Sequence, residues 1–203
     1  MVNVREDYRN LVYKIIAGMR AILRRFPQVQ YVLKIDSDAV AMLDRLYQVL
    51  SLINVHDYRV VCNVIKDKVP TRNKTHKWFV PHTAYPRAVF PNYCAGASYL
   101  MTKGAVARIV SNVQRAPIFG LEDAYLTGVV AELAGVHPLY HAPEVFTIRQ
   151  HSGCFHEGCI PPRCLGSGVV PTAILCRHAT NKTLDENYQL LQQASCTLPP
   201  VKT

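Results

Sequence analysis

The chain has 203 residues, of which 49% are hydrophobic and 18% are charged, a composition that excludes an intrinsically disordered protein and suffices for one domain with a core. Lysine and arginine number 23 against 14 acidic residues, so the formal charge is +9, which fits a nucleic acid, an anionic membrane surface or a phosphorylated ligand. The basic residues are scattered and no basic run is interleaved with aromatic residues, so nucleic-acid binding is disfavoured.

The first part of the chain predicts alternating helices and strands. Residues 6–25 carry apolar side chains at helical spacing and Pro27 follows them, which predicts a helix that ends before the proline. The apolar runs 31–35 and 58–64 predict buried strands, and residues 43–53 predict a helix between them. This rhythm is typical of an α/β layer fold.

The remaining chain is less regular. Residues 66–93 are irregular, polar and rich in proline. The stretch 94–110 predicts a strand followed by a helix, and a further helix is predicted over about residues 122–135, with a glycine at its end. Residues 150–203 form a loop-rich, cysteine-containing part. Because no internal repeat or boundary is visible, the whole chain is predicted to be a single domain.

Two aspartates lie one residue apart after the first predicted strand, in "KIDSDAV". Ligands of α/β sheets gather at the carboxyl ends of strands, and side chains two positions apart in an extended chain point the same way. Asp36 and Asp38 would repel each other unless a cation lay between them, and their hard oxygens suit Mg²⁺ or Mn²⁺. The alternative is a turn in which Asp36 or Ser37 caps a helix near Val40.

A second acidic pair, Glu122 and Asp123, stands at the start of a predicted helix. Local sequence favours complementation of the helix dipole in the first turn. The functional alternative is a general base, which needs a carboxylate near a substrate hydroxyl.

Seven cysteines are many for this length, and four of them lie between residues 154 and 176. Two N-glycosylation sequences, at Asn73 and Asn181, together with these cysteines favour an oxidising, secretory compartment. The odd number of cysteines predicts a free thiol or a partner outside this chain. Disulfides are favoured over a zinc site because no Cys-x2-Cys pair occurs. The candidate zinc ligands are His151, Cys154, His156, Cys159 and Cys164.

Taken in order, four stretches resemble glycosyltransferase family 31, the β-1,3-galactosyltransferase family. They are "EDYRNLVYKIIAGMRAI", "YVLKIDSDAV", "KWFVPHTAYPRAVFPNYCAGASYLMT" and "FGLEDAYLTG". The second resembles the family's strand and Lys-x-Asp-Asp-Asp motif, and the fourth its Glu-Asp-Val-Tyr-x-Gly motif. The order agrees over about residues 6–135, and "ILCRHATNKTLDENYQLL" resembles a later segment.

The resemblance implies a fold and a reaction. The fold would be GT-A-like and Rossmann-related, with a mixed sheet flanked by helices. The reaction would transfer galactose or an N-acetylhexosamine from a UDP-sugar to a glycan acceptor hydroxyl, with inversion and a β-1,3 linkage. The other class considered is a family member without catalytic activity that acts as a chaperone or a glycan-binding module.

The resemblance also implies roles for individual residues. Asp36, Asp38 and His178 would hold Mn²⁺, Asp123 would be the general base, and Glu122 would be its neighbour or a ligand to the sugar. Further positions would bind substrate, although a place in the core is the alternative for Trp78. These positions are Lys34, Ser37, Trp78, Tyr93 and Gly96.

Two departures from the family pattern affect these expectations. Ser37 replaces the middle acid of the metal motif, so one negative charge is lost. The family has a membrane anchor, a stem and the first βα units before the point that corresponds to Met1, so the chain is expected to be truncated at its N-terminus. No apolar run here reaches the about 18 residues of a membrane span. A full-length relative would be a single-pass type II protein facing the Golgi lumen.

Overall fold

A computed structural model describes residues 4–37, 39–41, 43–50, 57–136, 140–141, 146–147, 173–175, 185 and 188–189. Its helices are α1 (Leu11–Arg25), α2 (Leu43–Leu50), α3 (Lys103–Asn112) and a π-helix (Ala124–Val130) that continues into α4 (Ala131–Leu133). Its strands are β1 (Tyr31–Ile35), β2 (Ala39–Ala41), β3 (Val60–Ile65), β4 (Tyr93–Thr102), β5 (Tyr140–His141), β6 (Phe146–Thr147) and β7 (Ala173–Leu175). Most of the predicted C-terminal part 150–203 lies outside the described residues.

The central sheet has four strands in the order β1-β4-β3-β5. Strand β4 pairs antiparallel with both β1 and β3, whereas β5 pairs parallel with β3, so the sheet is mixed. A smaller sheet has the order β2-β7-β6. Val40 lies in β2, paired with Ile174, so the alternative of a helix near Val40 is wrong.

Helices cover both faces of the central sheet. On one face, α1, α3 and the π-helix share a core with alternate strand residues, among them Val60 and Tyr99. On the other face, Leu46 of α2 packs with Val61 and Leu100. Because neighbouring residues of a strand point to opposite faces, β3 and β4 contribute to both cores. An α/β domain with a mixed sheet flanked by helices is therefore confirmed.

The first helix begins later than its apolar pattern predicts. The side chain of Asp7 accepts a hydrogen bond from the Arg9 N–H at 2.8 Å and caps a 3-10 turn, Tyr8–Asn10. Helix α1 follows at Leu11 and buries one apolar face against the core. In the described part of the chain, no helix is long and apolar enough to cross a membrane.

Strand β4 contains a large bulge in its pairing with β3. The register passes from Cys62 opposite Tyr99 to Val64 opposite Cys94, so residue 63 of β3 faces residues 95–98 of β4. A disulfide joins Cys62 and Cys94, whose Cα atoms are 5.6 Å apart, beside this bulge. The extra residues lift Gly96 out of the regular ladder, which frees its backbone for contacts outside the β3 pairing.

The irregular segment between β3 and β4 is organised by one arginine. The Arg72 guanidinium donates hydrogen bonds to the carbonyls of Val80 at 2.8 Å, Tyr85 at 2.9 Å and Arg87 at 3.0 Å. Because a guanidinium offers several donors in a fixed plane, it fixes three separated points of the segment. The segment therefore has a defined path with little regular secondary structure.

Candidate active site

The side chain of Glu122 lies buried just before the π-helix, with 4% of its surface exposed. Its Oε1 accepts a short hydrogen bond from the Tyr99 hydroxyl, and its Oε2 lies 3.7 Å from the Lys34 ammonium. Burial, followed by the negative charge of Glu122, raises the pKa of Tyr99 well above its ordinary value. Tyr99 therefore keeps the proton that it donates to Glu122.

Lys34 is a buried cation between two acidic side chains. Lys34 is 8% exposed, and its Nζ lies 2.5 Å from Asp36 Oδ1. The same ammonium donates a short hydrogen bond to the Gly96 carbonyl in the β4 bulge and lies 5.6 Å from the centroid of the Tyr99 ring. Lys34, expected to bind substrate, is thus held by groups of the chain itself and joins β1 to the bulge.

Asp123 is partly exposed beside Glu122, where its Oδ1 accepts a hydrogen bond from the Ala124 N–H at 2.8 Å. Its carbonyl accepts a hydrogen bond from the Thr127 hydroxyl at 2.6 Å, and that hydroxyl accepts one from the Cys94 N–H at 2.8 Å. The start of the π-helix is therefore fastened to the start of β4. This arrangement holds the Asp123 carboxylate in one position against Gly96.

Both carboxyl groups titrate near neutral pH. Burial is the largest cause that raises the pKa of Glu122 to about 7, and the positive charge of Lys34 opposes it. Burial likewise raises the pKa of Asp123 to about 6, against the Ala124 hydrogen bond and the charge of Lys34. A carboxylate with a pKa near the working pH is suited to general-base catalysis.

The negative charge of Asp123 acts on two tyrosine side chains, Tyr93 and Tyr8. Tyr93 is buried at the start of β4, and burial followed by the negative charge of Asp123 raises its pKa. Trp78 is 36% exposed, so the alternative of a core tryptophan is wrong. Burial, followed by the negative charge of Asp123, raises the pKa of Tyr8 to about 12.

The predicted metal ligands are described only in part. Asp36, whose side chain is 36% exposed, directly follows β1, while Asp38 and His178 lie outside the described residues. The Ala39 N–H donates to the Asp36 carbonyl at 3.1 Å and closes a turn, as in the alternative of a turn after the strand. Ser37 is exposed in this turn. The described residues contain no group of three or more potential metal ligands.

The other predicted sites are surface or undescribed positions. Asn73 and Thr75 are exposed, and the Asn73 Oδ1 accepts hydrogen bonds from the Thr75 N–H at 3.0 Å and the Thr75 hydroxyl at 2.9 Å. Asn181 and the predicted zinc or disulfide segment 151–164 lie outside the described residues.

The family model described as galactosyltransferase matches residues 1–142. The chain belongs to the galactosyltransferase family. Human N-acetyllactosaminide β-1,3-N-acetylglucosaminyltransferase 4 is 28% identical over 146 residues, which are 71% of this chain and 38% of that protein. Mouse β-1,3-galactosyltransferase 1 is 28% identical over 138 residues, 68% of this chain and 42% of that protein. The chain thus spans less than half the length of these curated relatives, and its resemblance to family 31 is confirmed.

Two residues of this galactosyltransferase-family site were not singled out in the sequence. Tyr99 closes the Tyr-Cys-x-Gly-x-x-Tyr run, and its alternation with Leu100 places it on the face of Glu122. The spacing of this run could have indicated that Tyr99 belongs to the site. Tyr8 lies in the 3-10 turn before α1, and no local pattern signals that the charge of Asp123 acts on it.

Gly96→Ala is expected to reduce the free energy of unfolding by about 1–3 kcal/mol, because an added methyl group in a filled space forces its neighbours to move. A Cβ at Gly96 would lie 3.0 Å from Asp123 Oδ2 and 3.4 Å from its Cγ, so the carboxylate would have to move. The matched control is Gly18→Ala in α1, where nothing lies within 4 Å of the new Cβ. Urea unfolding of both variants tests this, and equal stabilities of Gly96→Ala and the original chain would contradict it.

Proposed function

We propose that the chain is the main part of a hexosyltransferase domain. It moves galactose or an N-acetylhexosamine from a UDP-sugar to a hydroxyl of a glycan acceptor on a glycoprotein or glycolipid, with inversion and a β-1,3 linkage. The fold proposed for the whole domain is GT-A-like. The observation that carries this proposal is the acidic pair Glu122 and Asp123, held at the β4 bulge with pKa values of about 7 and about 6.

Asp123 acts as the general base in this proposal. An oxygen of the acceptor attacks the anomeric carbon of the donor sugar, the bond from that carbon to the UDP oxygen breaks, and UDP leaves with the bonding electrons. The proton of the attacking hydroxyl passes to the Asp123 carboxylate. Because the attack and the departure occur in one displacement on opposite sides of the carbon, the anomeric configuration inverts.

Glu122 and Lys34 position the base and set its charge. Lys34 is the cation shared by Asp36 and Glu122, with its Nζ at 2.5 and 3.7 Å from their carboxylate oxygens. Its charge lowers the pKa of both Glu122 and Asp123, which keeps a larger fraction of Asp123 ionised near neutral pH. Tyr99 fixes the Glu122 carboxylate from the other side through its short hydrogen bond.

Asp36, Asp38 and His178 are the residues proposed to hold Mn²⁺. The partly exposed Asp36 carboxylate at the end of β1 fits this role, because hard oxygen donors suit the ion. When bound, Mn²⁺ would neutralise negative charge on the pyrophosphate of the leaving UDP. Substitution of an acid by Ser37 is compatible with binding, since Ser37 retains an oxygen.

The proposed location is the Golgi lumen, in a type II membrane protein. Two observations support an oxidising secretory compartment. The buried Cys62 and Cys94 form a disulfide, and the Asn73 acceptor sequence is exposed. The retained Asp36, Glu122 and Asp123 carboxyl groups favour an enzyme over the alternative of an inactive glycan-binding member.

UDP is expected to bind the 203-residue chain in the presence of Mn²⁺ and to lose most of its affinity when EDTA is added. Asp36→Asn is expected to remove most of the Mn²⁺-dependent UDP affinity, because the ion loses a charged oxygen ligand. Asparagine keeps an oxygen for Lys34 but removes the carboxylate charge.

Calorimetric titration of UDP measures both effects. Asp57→Asn, which alters an exposed pair with Arg59 at 2.7 Å, is the matched control. UDP affinity that is unaffected by EDTA would contradict the metal assignment. Sugar transfer is measured separately with UDP-galactose, UDP-N-acetylglucosamine and UDP-N-acetylgalactosamine, and glycan binding without transfer would favour the inactive family member.

A further inference from the structure

A groove open to solvent runs along α1 on the side that faces the segment after α3. Its volume is about 440 Å³, and it lies between α1 and residues 113–118. Tyr13 and Arg24, the first and last residues of α1 that line it, are eleven positions apart. Because an α-helix rises about 1.5 Å per residue, the groove extends about 16 Å, or three turns, along the helix. Among the described residues, none that lines the groove belongs to the candidate active site.

Most of the groove is apolar. Ile16 and Val113 are 5% and 3% exposed and form its floor, whereas Tyr13 and Ile118 are 44% and 36% exposed at its edges. Two alanines one turn apart on α1 also line it, and their short side chains let a partner approach the helix closely. Exposed apolar side chains around a buried apolar floor are typical of an interaction site.

Two arginines one turn apart, Arg20 and Arg24, give the groove a positive charge. Both are exposed, and within the part of the chain that the structure describes neither has an ion pair or a side-chain hydrogen bond. Arg24 lies in the last turn of α1, where the helix dipole favours a cation, but Arg20 comes one turn earlier and gains little from the dipole. No acidic residue is among the described residues that line the groove, so its charge is complementary to an anionic partner.

The spacing of the lining residues on α1 suits a helical partner. Tyr13, Ala17, Arg20 and Arg24 follow one another at intervals of four, three and four positions. Residues with this spacing form the seam along which one helix packs against another. A small anion would fill only part of the length, and a second copy of the chain would bring two further arginines and no acidic lining residue to the groove.

We propose that this groove binds an amphipathic helix of a partner protein that carries two carboxylates, one turn apart, beside an apolar face. The apolar face covers Ile16 and Val113, and the carboxylates accept hydrogen bonds from the guanidinium groups of Arg20 and Arg24, whose geometry matches theirs. A helix in a groove is a common mode of peptide recognition. The inference does not depend on sugar transfer, because it uses no residue of the candidate active site.

The probe is a fluorescein-labelled synthetic peptide of about 18 residues, long enough to form a helix, with leucines along one face and two glutamates one turn apart beside it. A second peptide has lysine in place of both glutamates. Fluorescence anisotropy measures the affinity of each peptide for the 203-residue chain. The glutamate peptide is expected to bind about 10-fold more tightly, because two partly exposed ion pairs replace two like-charge contacts. Equal affinities of the two peptides, or a Kd weaker than about 1 mM for both, would overturn the inference.

Arg20→Glu combined with Arg24→Glu should reverse the preference, so that the lysine peptide binds more tightly. The matched control, Arg25→Glu combined with Lys68→Glu, changes the net charge by the same amount at exposed positions that do not line the groove, and it should keep the original preference. Circular dichroism checks that both variants are folded. An unchanged preference in the first variant, or a reversed one in the control, would assign the effect to the overall charge and overturn the inference. Binding to phosphatidylserine vesicles that the first variant loses, without any peptide preference, would assign the groove to a membrane surface instead.

Discussion

Asp123→Asn is expected to lower kcat for sugar transfer by about 10²- to 10⁴-fold, the usual contribution of a general base. Asparagine can still accept the Ala124 N–H hydrogen bond, which measures 2.8 Å to Asp123, so the π-helix should begin normally. It cannot take the proton of the acceptor hydroxyl. Steady-state kinetics with saturating donor should show this loss, while the affinity for UDP-sugar stays unchanged.

The pH dependence provides a second test of the same residue. Only ionised Asp123 can accept a proton, and its pKa is raised to about 6, so kcat/KM should fall as the pH drops through this value. This acid limb should disappear from the residual activity of Asp123→Asn. Asp67→Asn is the control, because Asp67 has a φ of 52°, a conformation that asparagine also tolerates. Normal turnover of Asp123→Asn would mean that the base lies elsewhere.

Lys34→Met is expected to reduce the free energy of unfolding at pH 8 by about 3–5 kcal/mol, as for other buried ion pairs that lose one partner. Methionine has a similar length and fits the buried space, but it leaves Glu122 without its cation. At pH 5 the loss should be smaller, because the pKa of Glu122 is raised to about 7 and the folded protein then holds the carboxyl neutral. Urea unfolding followed by circular dichroism, with the disulfide intact, measures both values.

A double variant separates the charge from the packing of Lys34. In Lys34→Met with Glu122→Gln, the uncompensated carboxylate is absent, so much of the lost stability should return at pH 8. Lys103→Met is the control, since the Lys103 ammonium donates to the Pro27 carbonyl at the surface and its loss should cost under about 1 kcal/mol. Equal losses in the free energy of unfolding for Lys34→Met and Lys103→Met would show that the Lys34 cation does not stabilise the acidic cluster.

The parts of the fold that follow from local pattern were predictable. The apolar run 31–35 is strand β1, and the helical spacing of apolar residues predicted most of α1 and its end at Arg25. The start of α1 was wrong, because the apolar pattern does not register the side-chain cap that Asp7 places on the preceding 3-10 turn. Strand β2 was missed for another reason, since its partner β7 comes at Ala173–Leu175, far along the chain.

The residues of the candidate site also fall into those that a local pattern indicates and those whose place depends on distant parts of the chain. The motifs indicated Asp36, Glu122 and Asp123, because acidic residues at the ends of strands and the starts of helices are visible in sequence. The burial of Lys34 between two of these acids depends on the β4 bulge, which brings the Gly96 carbonyl to its ammonium. A shift in strand register leaves no periodic signal, so the sequence did not indicate that Lys34 lies inside the acidic cluster.

Arg72 has a consequence for how the specificity of this site can change during evolution. Its guanidinium contacts the main-chain carbonyls of Val80, Tyr85 and Arg87, and every amino acid carries that group. Side chains along the segment that bears Lys77 and Trp78 can therefore be exchanged while the path of its backbone is preserved. Because Trp78 is one of the residues expected to bind substrate, point substitutions there can alter the proposed acceptor preference while the acidic cluster is left unaltered.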